Sequence, residues 1–263
     1  MIPDEEIALM LALSRAFAAD TAQAGNQHEH DIVTMYCQLR NRRPDLYVEL
    51  GRGNGSSTFV AAMALAANRH GRVVSYDLHP TGHDLLSRFP IVDERVGDIR
   101  TLSSTDWDTL ATGCDRIAVL VDAHEQTGQP VAEVLLPFVR ERRDIAWFVM
   151  FHDVLNMPEQ TLFDAFADHY QRRRPFVSPY LEYAAIFQAF DGMPVSHFAE
   201  LGQPYHGAMR ALGVAVRKEP FRAGVQQWKP DADRELIDSL YALHPASSIA
   251  CIDMAATRAK VPG

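Results

Sequence analysis

The sequence predicts an α/β fold: a doubly wound, mostly parallel seven-stranded sheet with an antiparallel edge strand and extra N-terminal helices. Three observations predict it. Apolar runs at 46–50, 72–77, 91–96, 117–122 and 145–151 alternate with segments of helical periodicity, the pattern of parallel strands joined by crossover helices. Four of these runs end on or beside an acid (Glu49, Asp77, Asp122 and Asp153), so carboxylates gather along one edge of the sheet. The first run passes into Gly51-Arg52-Gly53-Asn54-Gly55, where glycine at alternate positions lets a strand turn tightly into a helix.

The elements follow in order. Ile7, Met10, Leu11, Leu13 and Phe17 stand at helical spacing within residues 4–19, which predicts an amphipathic helix. Gly25-Asn26-Gln27 breaks it, and a second helix is predicted from about His30 to Arg40, closed by Pro44. This leading region would lie outside the sheet, as a cap or a contact between subunits. The strand at 46–50 leads into an alanine-rich helix over 57–68, then a second strand at Arg72–Asp77. A helix near 81–88 precedes a short third strand, Ile91–Val96. Ile117–Asp122 is the fourth strand, and a helix over 130–140 precedes the fifth, Ile145–Phe151.

Beyond Pro158 the pattern predicts a helix over 159–172 and then an aromatic stretch containing Phe176, Tyr180, Tyr183, Phe187 and Phe190. Val195–Leu201 and Ala211–Arg217 read as two final strands in an antiparallel hairpin, and 231–243 as an amphipathic helix. The expected organisation is an N-terminal helical cap (1–45), a sheet domain (46–220) with a lid insertion near 155–192, and a C-terminal helical tail (221–263).

Composition narrows the function. A hydrophobic fraction of 47% with 22% charged residues is that of a globular protein. A net charge of −9 argues against a nucleic-acid surface, which needs clustered Lys and Arg to replace counterions. Arg172-Arg173-Arg174 reads as a solvated helix end. Cys37, Cys114 and Cys251 are odd in number and widely spaced, which implies neither a disulfide framework nor a C-x-x-C metal site. The opening residues are acidic where a signal peptide would be basic, and no apolar stretch approaches the ~20 residues of a membrane span. A cytoplasmic protein acting on a small molecule, without nucleic-acid or membrane partners and assembled as a homo-oligomer, is expected.

The glycine turn carries most of the functional signal. Backbone N–H groups at the start of the following helix are unpaired and suit an anionic group. A dinucleotide turn is G-x-G-x-x-G and needs no acid at the strand end. Here Glu49 precedes G-x-G-x-G. That arrangement resembles the first motif of class I S-adenosylmethionine (SAM) methyltransferases, whose fold is Rossmann-like. The resemblance implies that Glu49, Gly51, Gly53, Gly55 and Ser57 line the cofactor, the acid near its ammonium. Asp77 lies near the spacing at which an acid pairs with ribose hydroxyls; capping a following helix is the compatible alternative. Asp98 matches the acid that approaches the adenine amino group, and would equally form an Asx-turn. Arg52, between the glycines, would reach the cofactor carboxylate or stand in solvent.

The segment Val121-Asp122-Ala123-His124-Glu125, followed by Phe151-His152-Asp153, resembles the macrocin and rhamnosyl O-methyltransferases and the cephalosporin-hydroxylase-like proteins. That likeness implies a divalent metal, Mg²⁺ or another, on Asp122, His152 and Asp153, with Asp122 also beside the cofactor. His124 or Glu125 would serve as catalytic base. Two departures stand out: Ala123 replaces the usual glycine, and Glu125 takes the position of the family's catalytic histidine. His152 and Asp153 would alternatively be a hydrogen-bonded turn and a cap.

The expected activity is therefore SAM-dependent O-methylation of a small-molecule hydroxyl, as in secondary metabolism. Three alternatives use the same features: another reaction of SAM, a SAM-binding partner without turnover, and a nicotinamide oxidoreductase. His28, Glu29, His30 and Asp31 would line a substrate entrance, chelate a metal or form a polar loop. Tyr205 and His206 would cover the substrate.

Overall fold

The computed structural model describes residues 2–20, 29–81, 88–123, 130–152, 195–214, 216 and 249–255. Its seven strands are β1 (Leu46–Leu50), β2 (Arg72–Asp77), β3 (Val92–Val96), β4 (Arg116–Val121), β5 (Ala146–Phe151), β6 (Val195–His197) and β7 (Ala250–Met254). They form one sheet in the order β3-β2-β1-β4-β5-β7-β6. The first five are parallel, and β7 runs antiparallel to both β5 and β6. The chain starts in the middle, winds outward to β3, returns beside β1 and winds outward again. That reversal between β1 and β4 opens a crevice at the strands' C-terminal ends.

Helices cover both faces. On one lie α1 (Asp4–Asp20), α2 (Glu29–Arg42) and α3 (Ser56–Asn68), which pack through Ile7, Met10, Val33, Leu39, Val60 and Leu65 against Tyr47, Val73, Leu120 and Met150. On the other lie α4 (Ser104–Ala111) and α5 (Leu136–Glu141, entered through a π-helical turn at Pro130–Leu135), whose Trp107, Leu110, Phe138 and Val139 meet Leu46, Val48, Val119 and Trp147. β1, β2, β4 and β5 bury side chains on both faces, so β1 and β4 read as nearly continuous apolar runs, while β3 at the sheet edge stays partly exposed.

The leading helices are more than a covering. Residues 30–39 of α2 are all buried, because α6 (Phe198–Leu201) and α7 (His206–Ala211) pack over it from outside. Phe198, Ala208 and Met209 share the hydrophobic core that holds α2 and α3. Arg40 of α2 also grips Glu6 of α1, with Nη2 3.2 Å from Oε2.

Two expectations about the second half are corrected. Ala211–Arg217 is not a strand over its described residues: α7 ends there. Val214 N–H bonds back to Met209 O at 2.8 Å and Gly213 N–H to Arg210 O at 3.1 Å, with Gly213 at φ 74. This is a Schellman stop, in which a left-handed glycine lets the last carbonyls find donors. The strand partner comes instead from Ala250–Met254, within the stretch expected to be a helical tail. The short helix α4 was also unforeseen, although Ser103 and Asp106 form the capping box that announces it. The expected helices at 159–172 and 231–243, the aromatic stretch 175–192 and most of the helix near 81–88 lie outside the described residues.

Candidate active site at the strand ends

Parallel pairing continues one residue past several strands. Gly51 N–H donates to Tyr76 O (3.0 Å), Asp122 N–H to Leu50 O (2.8 Å), and His152 N–H to Val121 O (2.9 Å). The register therefore sets Asp77, Gly51, Asp122 and His152 in a row across β2, β1, β4 and β5, at the reversal crevice. Sequence spacing alone put acids at strand ends; the shared register makes them neighbours.

Within the turn, the three glycines do different work. Gly51 (φ 93) is forced: a Cβ there would stand 2.1 Å from the carbonyl oxygen of Asp122. Gly55 (φ 83) precedes α3 and supplies no side-chain cap to it, but Asn54 Oδ1 accepts from the first N–H, that of Ser56, at 3.1 Å. Gly53 (φ 53) has no atom of the described residues within 4 Å of its would-be Cβ, and it forms an open floor.

Glu49 lies under this turn, fully buried. Its Oε2 accepts from Ser75 Oγ at 2.6 Å and from Thr58 Oγ1, while Oε1 has no hydrogen-bond partner among the described residues. Burial pushes its pKa up to about 7; the hydroxyls of Ser57, Ser75 and Thr58 pull the other way, and the charge of Asp122 adds to the rise. Thr58 and Ser75 were missed in the sequence. Ser75 did leave a signal, as a polar residue inside an otherwise apolar strand.

Asp77 is half-buried and turned back onto the turn. Oδ2 accepts from the N–H groups of Arg52 and Gly53, both at 2.9 Å, and Oδ1 from His79 N–H at 3.0 Å. Arg52 is neither in solvent nor free to reach a ligand. Its side chain is fully buried, with Nη1 donating to Ser75 O (2.9 Å) and Nη2 to His79 O (2.7 Å), and Nε 3.7 Å from Glu94 Oε2. Asp98 caps the 3-10 turn at Ile99–Thr101 and binds Arg100, whose guanidinium holds the carboxyl below the usual range.

At the other end of the row, His152 Nδ1 lies 3.0 Å from Asp122 Oδ1. The histidine is buried and the aspartate partly open, with 18% of its side chain exposed. The pair is a polar group aimed at the crevice. His124, Glu125 and Asp153, expected as base and metal ligand, lie outside the described residues. Among the described residues no three His, Cys, Asp or Glu side chains form a group that could hold a metal ion.

The second polar cluster foreseen in the sequence is divided by the fold. Glu29 pairs with Arg15 on α1 (2.6 Å). His30 is buried, with Nδ1 3.3 Å from Asp31 Oδ1 and Nε2 3.4 Å from Nε2 of His206 on α7. Tyr205 is buried too, its hydroxyl accepting from Asn41 at 2.6 Å, so it fastens α2. His28 lies outside the described residues.

The described residues include no helix long and apolar enough to cross a membrane. No protein-family model matches the chain, and no curated protein matches it. Among solved structures, a putative methyltransferase from Thermobifida fusca is similar at 15% identity over 92% of this chain and 88% of its own, with a TM-score of 0.45. An O-methyltransferase from Bacillus cereus in complex with S-adenosylhomocysteine (SAH) is similar at 15% identity over 74% and 83%, with a TM-score of 0.44. A SAH-bound methyltransferase from Podospora anserina is similar at 14% identity over 82% and 81%, with a TM-score of 0.39. At such distances the reading of function rests on the site itself.

Proposed function

We propose that this protein is a SAM-dependent methyltransferase acting on a hydroxyl of a small molecule. One observation carries the reading: a buried acid beneath a glycine turn whose Gly51 stands in register with Asp77 on one side and the Asp122–His152 pair on the other. The residues fit the cofactor. Glu49 Oε1, buried without a hydrogen-bond partner among the described residues, offers charge to an ammonium group. Beyond Ser56, whose N–H donates to Asn54, the start of α3 offers N–H groups to a carboxylate, and the open face of Gly53 admits close approach by a ligand.

The cofactor supplies a methyl group that is already electrophilic on its sulfonium. What remains for the protein is alignment and proton removal. Asp122, fixed through its backbone to β1 and through Oδ1 to His152, presents negative charge at the crevice. His124 or Glu125, next along the chain, is the proposed proton acceptor for the substrate hydroxyl. A divalent ion would be held by Asp122 with His152 and Asp153, and would lower the hydroxyl's pKa as a Lewis acid.

The test is incubation of the protein with labelled SAM and a panel of phenols, sugars and aliphatic alcohols, with and without chelator. Labelled product together with SAH supports the proposal. Formation of methylthioadenosine would move the reaction to the aminocarboxypropyl chain. Tight NAD binding without SAM binding would replace the reading with a nicotinamide oxidoreductase.

A further inference from the structure

His30, Thr34 and Gln38 stand four residues apart on α2, so they form one polar row along a single face of the helix. All three are buried beneath the segment that carries α6 and α7. Gln38 is satisfied, its Nε2 donating to Leu201 O at 3.3 Å. Thr34 Oγ1 is buried with no hydrogen-bond partner among the described residues, which is costly for a hydroxyl. Gly202 crosses over this row. Its backbone (φ −82, ψ −17) suits any residue, so conformation does not call for glycine. Space does: a Cβ would stand 2.6 Å from Thr34 Oγ1 and 3.0 Å from His30 Nε2. A side chain at 202 would close the gap between the hydroxyl and the imidazole.

A second imidazole reaches the same place from α7. His30 Nε2 and His206 Nε2 are 3.4 Å apart, and the rings, tilted by 57° with centroids 5.6 Å apart, meet nitrogen to nitrogen. An N–H···N bond of that length is weak. Two nitrogens each about 2.0–2.1 Å from one tetrahedral ion would be about 3.3–3.4 Å apart, which matches the separation observed. On the far side of the His30 ring, Nδ1 lies 3.3 Å from Asp31 Oδ1. A carboxylate there holds the proton on Nδ1, leaves the lone pair on Nε2 and makes that nitrogen a stronger ligand.

We infer that His30 and His206 bind a divalent metal ion of the Zn²⁺ class, with the Thr34 hydroxyl turned to its shell and solvent supplying the remaining ligands. Imidazole nitrogen selects Zn²⁺, Co²⁺, Ni²⁺ or Cu²⁺ over Mg²⁺, which prefers oxygen. His206 is only partly buried, which gives the ion a way in. Two protein nitrogens are fewer than a closed structural zinc site holds, so the ion exchanges with solution. It clasps α7 to α2. This site is separate from the ion proposed at Asp122, His152 and Asp153, and it does not depend on the reading of the glycine turn as a SAM site.

Co²⁺ titrated into the metal-stripped full chain is the probe, read by visible absorption, with Zn²⁺ as competitor and a thermal melt as the second readout. The wild-type chain should show the bands of a nitrogen-ligated ion, lose them to Zn²⁺, and melt at a higher temperature with Zn²⁺ than without. In His206→Ala the affinity should fall roughly tenfold or more and the Zn²⁺-dependent rise in melting temperature should vanish. Asp122→Asn should keep both signals. His206→Gln, which retains side-chain volume, takes the place of His206→Ala if that variant fails to fold. A wild-type chain with neither signal would leave the two histidines as a hydrogen-bonded pair and overturn the inference. Binding that survives loss of the His206 imidazole within about twofold would also overturn it, and its loss in Asp122→Asn would assign the ion to the strand ends instead.

Discussion

The Cβ that Gly51 lacks would stand 2.1 Å from the carbonyl oxygen of Asp122. The turn after β1 therefore lies directly on the end of β4, and the backbone itself requires the glycine.

Gly51→Ala should lower stability by about 3 kcal/mol or more, because both a positive φ and a backbone clash oppose the side chain. A Cβ at Gly53 meets no atom of the described residues, so Gly53→Val should cost only about 1–2 kcal/mol for its left-handed φ. Yet it fills the open floor and should abolish SAM binding. Thermal melts and calorimetry on the two variants separate these effects. Equal stability losses with equal residual binding would contradict the assignment.

Glu49 gives a pH signature. Its folded pKa is about 7 against an ordinary 4.5. Below pH 4.5 it is protonated in both states and costs nothing. Between 4.5 and 7 the unfolded chain releases its proton while the folded chain retains it, so stability falls as pH rises. Above 7 the full penalty is present, roughly 3 kcal/mol at about 1.4 kcal/mol per pKa unit. Glu49→Gln should remove that slope and be at least as stable as wild type at pH 8, while binding SAM far more weakly. Denaturant midpoints measured from pH 4 to 8 check the slope. A variant that keeps it would place the titration elsewhere.

His152→Ala should leave SAH affinity within about threefold, since the residue sits two strands from the glycine turn, and reduce turnover by about 10²-fold or more through loss of the Asp122 orientation. Single-turnover rates with an accepted hydroxyl substrate are the measurement. Methylation that survives a strong chelator unchanged would take the metal out of the mechanism and leave the proton to His124 or Glu125.

Gly213→Ala is a control far along the chain from the turn. Forcing a Cβ into the left-handed stop of α7 should cost about 1 kcal/mol of stability without altering SAH affinity. A large change in affinity would mean that α7 reaches the cofactor.

The sequence by itself determined the alternation of strands and helices, the glycine turn and the acids at the strand ends, because each is a local pattern. Periodicity fixes which face is buried, glycine spacing fixes where φ turns positive, and the strand end fixes where a carboxylate emerges. It did not decide what those carboxylates hold. Asp77 is largely occupied by the turn's own N–H groups, and Arg52, between two glycines, is drawn inside by carbonyls 23 and 27 residues away in the chain. It also placed a last strand at 211–217, where alternation pointed, although a left-handed Gly213 ends a helix there and Ala250–Met254 takes the place beside β5. Hydrogen-bond partners and strand neighbours are contacts between distant segments. Only the tertiary structure sets them, because the free energy that selects them comes from burying several elements at once.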